Sequence, residues 1–421
     1  MLSRKTYFYF PLLNFIFAWF VVFFIYFLTP IKFFPLSYET VFILLVSIIL
    51  IVSGYFFYRL FFIESGSILY KQDISNPSFY IRYSLLSKII LVLSGVIISS
   101  LITYLIIISK TRGGITEYFA NPIIGRQIVV ETNTLRGWKL PLAVSSYGIS
   151  LISLTCIIAG VLFSADKIVY KFVSLFPIII AFSYSIITFS RYNFFSLCLY
   201  WLFSVFFISY YLNNKKRVRV LRQLIISGAV ILIIILITSY LIVSLRFFTL
   251  PKKISTIFIE QINYYIIGNI IALNKYLSND ISLTWGGSLL RTIFKWLARL
   301  GLYESTQVIP QNYEFVKINN TMVSNTYSYV RTLYEDFGII GLLNLSFFWG
   351  ISSGFITQLF LNKFQFKILF FVVLMTTSFL MSFYGFYFIL ISKILYEFFM
   401  FYLFDKIFLN KLIISRKINV S

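Results

Sequence analysis

Histidine is absent from this 421-residue chain, and cysteine occurs only twice, at Cys156 and Cys198. Without histidine the chain lacks the commonest general base and the commonest metal ligand of proteins. The two cysteines lie in separate apolar runs, as expected of small side chains that pack in a core. We therefore expect no zinc, haem or iron–sulfur site, no metal and no bound cofactor.

Charge is also scarce. Only 12% of the residues are charged, whereas 59% are hydrophobic, and the mean hydropathy is +0.89. These values lie far outside the range of soluble domains. We find no internal repeat, no low-complexity linker and no segment large enough to fold as a separate soluble domain. The sequence therefore predicts a single membrane domain over residues 1–421, of the all-α polytopic class, with membrane lipid and no nucleic acid among its partners.

Apolar runs of about 20 residues recur along the chain, and each is long enough to cross a hydrocarbon core of ~30 Å. No small-residue cleavage site follows the first run, so it is expected to be a retained helix. About ten transmembrane helices are predicted, at 7–28, 39–60, 89–109, 140–162, 168–190, 192–212, 224–244, 336–360, 368–383 and 387–405.

The orientation of the helices follows from the lysines and arginines of the loops, which favour the cytoplasmic side. With Met1 in the cytoplasm, the predicted inner loops are strongly basic, and the run Asn213–Arg222 alone contains five cations. An even number of spans then places both termini in the cytoplasm. The helices at about 7–244 and 336–405 flank a large extracytoplasmic loop, 245–335.

Arginine is unexpectedly frequent on the predicted outer side. Arginine forks onto phosphate oxygens, which suggests a site that handles lipid-linked phosphate. Ordinary solvated loop charges are the alternative, because the charge rule weakens in long loops. Arg191 lies in a tight hairpin between two spans, and the others lie in the loop 110–139 or in the large loop: Arg112, Arg126, Arg136, Arg246, Arg291, Arg299 and Arg331.

The large loop has a helical pattern of its own. Phe258–Leu277 is too short in its apolar part for an ordinary span and suits an interfacial or re-entrant helix. A turn signal, Trp-Gly-Gly at 285–287, precedes the amphipathic stretch Ser288–Leu302. Cations recur every four residues on one side of this stretch, at Arg291, Lys295 and Arg299. They suit lipid headgroups or a lipid-linked pyrophosphate, and the two interpretations are not exclusive.

Polar and aromatic residues crowd the start of the next predicted span. Tyr327 precedes Arg331, Glu335 and Asp336, and Arg331 with Glu335 has the i, i+4 spacing of a helical salt bridge. A purely structural pair is one interpretation and a functional site is the other. Candidate acid or base groups on the outer side are Glu117, Glu131, Glu335 and Asp336.

These features together resemble the Wzy-type oligosaccharide repeat-unit polymerases, which make bacterial O-antigen and capsule. Some members have an arginine, ten residues and a glycine in two outer loops. Arg126 and Gly137 have that spacing, whereas Arg331 and Gly341 are separated by nine residues. Four local features carry the resemblance: Arg112-Gly113-Gly114 after the third span, Ser190-Arg191, Tyr264–Leu273 and Asn325–Leu342.

The resemblance implies a GT-C-like fold in the bacterial cytoplasmic (inner) membrane, with an extracytoplasmic active face. It also implies a metal-independent glycosyltransferase that polymerises undecaprenyl-pyrophosphate-linked oligosaccharides into O-antigen or capsular polysaccharide, with a chain-length regulator protein as a possible partner. The expected catalytic residues are Arg191, Arg291, Arg331, Glu335, Asp336 and Glu131. The expected substrate-binding residues are Arg112, Arg126, Arg136, Arg246, Lys295, Arg299 and Tyr327.

Two other functions remain open at the level of sequence. An O-antigen ligase shares the layout, but a histidine in its large outer loop is expected and this chain has none. A flippase for the same lipid-linked unit is similar in length and basicity. A flippase is expected to show more spans, evenly spaced, with buried charges along a central path.

Overall fold

The computed structural model describes most of the chain, and every structural statement below refers to that part. The described residues are 3–29, 32–64, 79–110, 114, 117, 139–188, 191–247, 251–279, 283–290, 293–294, 297–298, 300–302, 316–320, 323–324, 327–384, 391–406 and 413–415.

The described residues include eleven α-helices, a π-helical segment (Arg59–Glu64) that continues α2, and four short strands. The helices are α1 (Arg4–Leu28), α2 (Tyr38–Tyr58), α3 (Tyr83–Lys110), α4 (Lys139–Phe163), α5 (Ile168–Thr188), α6 (Arg191–Ser209), α7 (Asn214–Phe247), α8 (Pro251–Leu277), α9 (Tyr329–Asn362), α10 (Phe366–Leu380) and α11 (Ile391–Phe404). The strands form two antiparallel pairs, β1 (Phe79–Ile81) with β4 (Ile413–Ser415) and β2 (Val316–Lys317) with β3 (Val323–Ser324).

Seven helices (α1 to α5, α7 and α9) are long and apolar enough to cross a membrane. The apolar helices α6 and α10 are shorter, and α11 overlaps the last predicted span. Each of the ten predicted spans therefore coincides with a helix. The chain is an all-α polytopic membrane protein, as its composition predicts, while the number of ten crossings stays a prediction.

Helix α4 lies at the centre of one group of helices and α7 lies at its edge. In α4, 78% of the most apolar stretch is buried inside the protein, against 11% in α7. Helices α3, α5, α6 and α11 all pack on α4. Helix α10 contacts both α6 and α1 and so connects this group to a second one that contains α1, α2 and α9.

Glycines allow α2 and α9 to cross at very short range. A Cβ atom on Gly54 of α2 would lie 2.1 Å from the carbonyl oxygen of Phe347, and one on Gly350 of α9 would lie 2.1 Å from that of Ile51. Small residues at such a crossing let two backbones approach, which is a common way for helices to associate in membranes. This crossing holds α9 against the N-terminal pair of helices.

The predicted inner loops meet at one end of the helix bundle. The Lys216 ammonium lies 3.0 Å from the Asp166 carboxylate, and Lys171 donates to the Gln223 side chain at 2.7 Å. Arg4, at the start of α1, donates to Asn362, at the end of α9. The contacts agree with the predicted alternation of the helices, although the side of the membrane that this end faces stays a prediction.

Two helices begin earlier than the sequence predicts. Helix α7 begins at Asn214 instead of 224, because the Asn213 side chain accepts the Lys216 N–H at 3.0 Å and caps the basic turn. Helix α9 begins at Tyr329 instead of 336. Both extensions contain charged and polar residues, so a hydropathy pattern places the start of each helix too late along the chain. Because α9 begins at Tyr329, the predicted outer segment 245–335 includes the first residues of this helix.

The predicted interfacial helix in the outer segment is α8, which begins at Pro251, ahead of the expected Phe258. Residues 267–273 of this helix are buried, and α8 packs on α1 and α7. It is therefore part of the bundle and not a helix lying free on the membrane surface.

Candidate functional site

The first turns of α9 form a short polar helix that is separated from the rest of α9 by a kink. The kink lies at Gly338, whose φ and ψ are 64° and −164°. A side chain would strain this conformation, which is found essentially in glycine alone. The short helix, residues 329–337, is seated in the bundle because the Tyr329 hydroxyl donates to Ser47 Oγ at 2.9 Å and the Tyr329 N–H donates to the Ser382 carbonyl at 3.0 Å.

Arg331 lies buried on this short helix, between two aromatic rings. Its side chain is 3% exposed, and its guanidinium carbon is 4.0 Å from the ring centre of Tyr276 and 3.9 Å from that of Tyr327. The two ring centres lie 6.2 Å apart at an interplanar angle of 73°, so the rings contact the guanidinium from two roughly perpendicular directions and do not sandwich it. The arginine is therefore held in one orientation by the rings.

Glu335 provides the charge opposite Arg331. Its Oε1 atom lies 3.8 Å from Arg331 Nη2, one helical turn away, and its Oε2 atom accepts a hydrogen bond from Ser288 Oγ at 2.8 Å. The distance of 3.8 Å is long for a hydrogen bond, so the contact is mainly coulombic. The i, i+4 helical pair expected from the sequence is present, and it is buried.

Asp336 has a different environment from its neighbour Glu335. It is fully buried, and its carboxylate accepts the Ser288 N–H at 2.8 Å, the Leu289 N–H at 2.7 Å and the hydroxyl of Thr284. A carboxylate has about four lone-pair sites, and these donors occupy three of them. Asp336 thus ties the turn at 284–290 to the end of the short helix.

The backbone strengthens this connection. The N–H groups of Thr284 and Trp285 donate to the carbonyl oxygens of Glu335 and Asp336, at 2.9 and 3.0 Å. These carbonyls lie in the last turn before the kink, where helical carbonyls need donors from elsewhere. Trp285 itself has a φ of 48°, unusual for a bulky residue, and its side chain is exposed. The predicted Trp-Gly-Gly turn is therefore present and is fixed against α9.

Tyr276 is positioned by α8, which in turn is fixed to the α1–α2 connection. Two residues before Tyr276, the Asn274 side chain accepts from the Ser37 N–H at 2.8 Å and the Thr40 hydroxyl at 2.9 Å, and it donates to the Pro35 carbonyl at 3.2 Å. The α1–α2 connection also donates to the β2–β3 hairpin, from Phe34 N–H to the Ile318 carbonyl at 3.0 Å. The α1–α2 connection thus links α8, which carries Tyr276, to the β2–β3 hairpin.

Of the expected site residues, four converge in the described part of the chain: Tyr327, Arg331, Glu335 and Asp336. Helix α6 begins at Arg191 and α7 ends just after Arg246, but the side chains of both lie outside the described residues. The remaining expected residues also lie outside the described part: Arg112, Arg126, Glu131, Arg136, Arg291, Lys295 and Arg299. Their roles stay predictions.

Sequence reasoning missed Tyr276, Thr284 and Ser288. Tyr276 ends an apolar helix and is one of 31 tyrosines, so no pattern marks it out. Thr284 and Ser288 flank the Trp-Gly-Gly turn, and a turn that supplies N–H donors next to an Asp would have been the available signal. Across the described residues, no group of three or more His, Cys, Asp or Glu side chains is arranged to hold a metal ion.

The site combines the Arg331 guanidinium in contact with two aromatic rings, the Glu335 carboxylate one helical turn away, and the turn 284–290, which is fixed by the Asp336 carboxylate. Chemically, such a site offers a preorganised positive charge for an anion and a carboxylate able to exchange a proton. Comparison with protein-family models, with curated proteins and with solved structures finds no match to the chain.

Proposed function

We propose that this protein is a bacterial inner-membrane glycosyltransferase that polymerises undecaprenyl-pyrophosphate-linked oligosaccharide repeat units into O-antigen or capsular polysaccharide. The observation that carries the proposal is the buried Arg331, which contacts the rings of Tyr276 and Tyr327 and is paired with Glu335 where the predicted outer segment meets the bundle. The resemblance of the sequence to Wzy-type polymerases supplies the substrate class.

In the proposed reaction, a hydroxyl oxygen of the incoming lipid-linked unit attacks the anomeric carbon of the growing glycan. A new glycosidic C–O bond forms while the anomeric C–O bond to pyrophosphate breaks, and undecaprenyl pyrophosphate leaves with the electron pair. The hydroxyl proton passes to a carboxylate, for which Glu335 is the candidate beside the arginine. Arg331 stabilises the charge that develops on the departing pyrophosphate.

Holding the guanidinium in place before the reaction matters for this role. A donor that must reorganise during the reaction stabilises the transition state less than one already oriented, and the loss of a single preorganised donor typically lowers turnover by about 10²–10³-fold. The contacts with the two rings, at 4.0 and 3.9 Å, restrict Arg331 in this way. Its low exposure also keeps water from screening the positive charge.

The direct test is incubation of the purified, reconstituted protein with its lipid-linked repeat unit, followed by gel separation of the products. A ladder of glycans that grows by whole units, with release of undecaprenyl pyrophosphate, supports the polymerase. Absence of the ladder together with movement of the same lipid across a liposome bilayer would instead establish the flippase alternative.

The role of Arg331 is tested by Arg331→Ala and Arg331→Lys, both expected to lower ladder formation by about 10²-fold or more, because lysine lacks the planar fork. Arg219→Ala is the matched control. It removes an exposed arginine at the opposite end of the bundle, where the guanidinium lies 3.9 Å from the Asp166 carboxylate. Equal elution profiles in detergent would show that the variants fold. Full activity of Arg331→Ala in a folded protein would exclude Arg331 from the site.

A further inference from the structure

Two neighbouring carboxylates on the short helix, Glu335 and Asp336, are both candidates for the proton acceptor, and the structure gives them unequal surroundings. Glu335 accepts a hydrogen bond from the Ser288 hydroxyl and lies opposite Arg331. Asp336 accepts two backbone N–H groups and the Thr284 hydroxyl, and it is fully buried. The donors to Asp336 all belong to a single turn of chain.

We propose that Asp336 is a positioning residue, and not the proton acceptor: it clamps the turn 284–290 to the end of the short helix and thereby places the Ser288 hydroxyl on the Glu335 carboxylate. The proposal rests on the proposed function. Its structural half, the clamp, stands independently of any activity.

The first argument is the number of hydrogen bonds. With three of about four acceptor sites engaged, Asp336 has little capacity left for a substrate hydroxyl, and taking up a proton there would weaken the bonds that hold Ser288 and Leu289. A general base needs an acceptor atom within hydrogen-bond reach of the proton it removes. Asp336 does not meet that requirement, because its oxygens already accept from Ser288, Leu289 and Thr284.

The second argument is the position of the donors along the chain. Ser288 and Leu289 stand at the start of the predicted amphipathic stretch, and the turn continues as Phe294 N–H donates to the Leu290 carbonyl at 3.1 Å. A carboxylate that accepts the first N–H groups of a helical turn acts as its cap and fixes where the turn begins. Arg291 follows Leu290 directly in the sequence.

The third argument is that the clamp closes on both sides of the turn. Backbone bonds from Thr284 and Trp285 reach the carbonyls of Glu335 and Asp336, at 2.9 and 3.0 Å, while the carboxylates hold Ser288 and Leu289. The turn is therefore attached to the short helix before and after Trp285. Removing the Asp336 carboxylate releases the side that leads into the basic stretch.

The clamp is tested by a nitroxide spin label at Leu300→Cys, a position that is 72% exposed and lies beyond the basic stretch. The label is placed in a Cys156→Ala, Cys198→Ala background so that it attaches only at position 300; neither native cysteine forms a disulfide. Asp336→Ala and Thr284→Val are expected to increase the mobility of the label. Thr103→Val is the matched control, since the Thr103 hydroxyl bonds only to the carbonyl of Ser99 on its own helix. Unchanged mobility in both clamp variants would overturn the proposal.

Kinetics separate positioning from proton transfer. If Asp336 positions the turn, Asp336→Asn and Thr284→Val lower turnover together by about 3–30-fold, as expected for weakened hydrogen bonds, and leave its pH profile unchanged. If Asp336 accepts the proton, Asp336→Asn lowers turnover by about 10²–10⁴-fold and Thr284→Val stays fully active, which would overturn the proposal. Should the unsubstituted protein make no glycan ladder, the proposed function fails, and the spin-label result alone decides whether the clamp exists.

Discussion

The aromatic rings around Arg331 allow a sharp prediction about stability. Tyr276→Leu removes one ring from the guanidinium, whereas Tyr276→Phe keeps a ring with the same face at the same place. The ring centre lies 4.0 Å from the guanidinium carbon, and the arginine side chain is only 3% exposed. A desolvated contact of this kind contributes about 2 kcal/mol.

We expect Tyr276→Leu to lower the free energy of unfolding by about 2 kcal/mol more than Tyr276→Phe does. Part of any phenylalanine-to-leucine change is loss of packing, and this part needs its own control. Phe194→Leu is suitable, because Phe194 is 1% exposed in α6 and its described ring contact is with Phe182, not with a cation. The phenylalanine-to-leucine change lowers the free energy of unfolding at both positions. The amount by which the loss at position 276 exceeds the loss at position 194 measures the interaction of the ring with the Arg331 charge.

The assay is equilibrium unfolding of the purified protein in mixed detergent micelles, followed by tryptophan fluorescence and near-ultraviolet circular dichroism. Because 1.36 kcal/mol is a tenfold change in an equilibrium constant, an excess of about 2 kcal/mol corresponds to roughly a 30-fold change and is well within measurement. An excess near zero would refute the idea that the rings hold the guanidinium electrostatically. It would also weaken the argument for a preorganised arginine.

Three further predictions concern the same end of the bundle. Arg331→Met and Glu335→Gln should each destabilise by about 3–5 kcal/mol, because each leaves one buried charge behind, and the double variant should cost less than their sum. Gly338→Ala should destabilise by about 1–3 kcal/mol, since alanine is strained at a φ of 64° and a ψ of −164°; the same unfolding assay measures it. Cysteines introduced at the exposed residues Ser278 and Asn320 should react with an impermeant thiol reagent added outside the cell.

Each of these predictions has a control. Strict additivity of Arg331→Met and Glu335→Gln would show that the pair is not coupled. Gly95→Ala is the comparison for Gly338→Ala, because a Cβ atom on Gly95 would meet nothing within 4 Å. Lys215→Cys, at the predicted inner end, should stay unlabelled from outside. Labelling of Lys215→Cys with protection of the two outer positions would reverse the orientation.

Much of the helical layout could be predicted from composition and hydropathy alone. Runs such as Tyr38–Tyr58 have apolar side chains on every face. Because lipid offers no hydrogen-bond partners, such a run must form a helix to satisfy its backbone hydrogen bonds. The helix ends were less predictable. Asn214 and Tyr329 begin helices in polar sequence, where capping and contacts with distant residues determine the boundary.

The candidate site was only partly predictable for a related reason. Arg331 and Glu335 are four residues apart, so their contact follows from helical geometry. Tyr276 and Asp336 join the site through contacts across about fifty residues of sequence, for instance from Ser288 to Asp336 with a separation of 48. No periodic pattern encodes a contact of that range in a single sequence. The kink at Gly338 could not be predicted for the same reason, because no periodic pattern in the sequence marks it.

The close glycine crossing of α2 and α9 has a consequence for how the protein is made. The bond between Ser47 and Tyr329, on these two helices, spans 282 residues of sequence. At a synthesis rate of about 5–20 residues per second, α2 waits roughly 15–55 s in the bilayer before its partner leaves the ribosome. During that interval the face around Gly54 is open to any other small-residue helix. The pairing surface of α2 is therefore completed only late in translation, when most of the other helices have already been made.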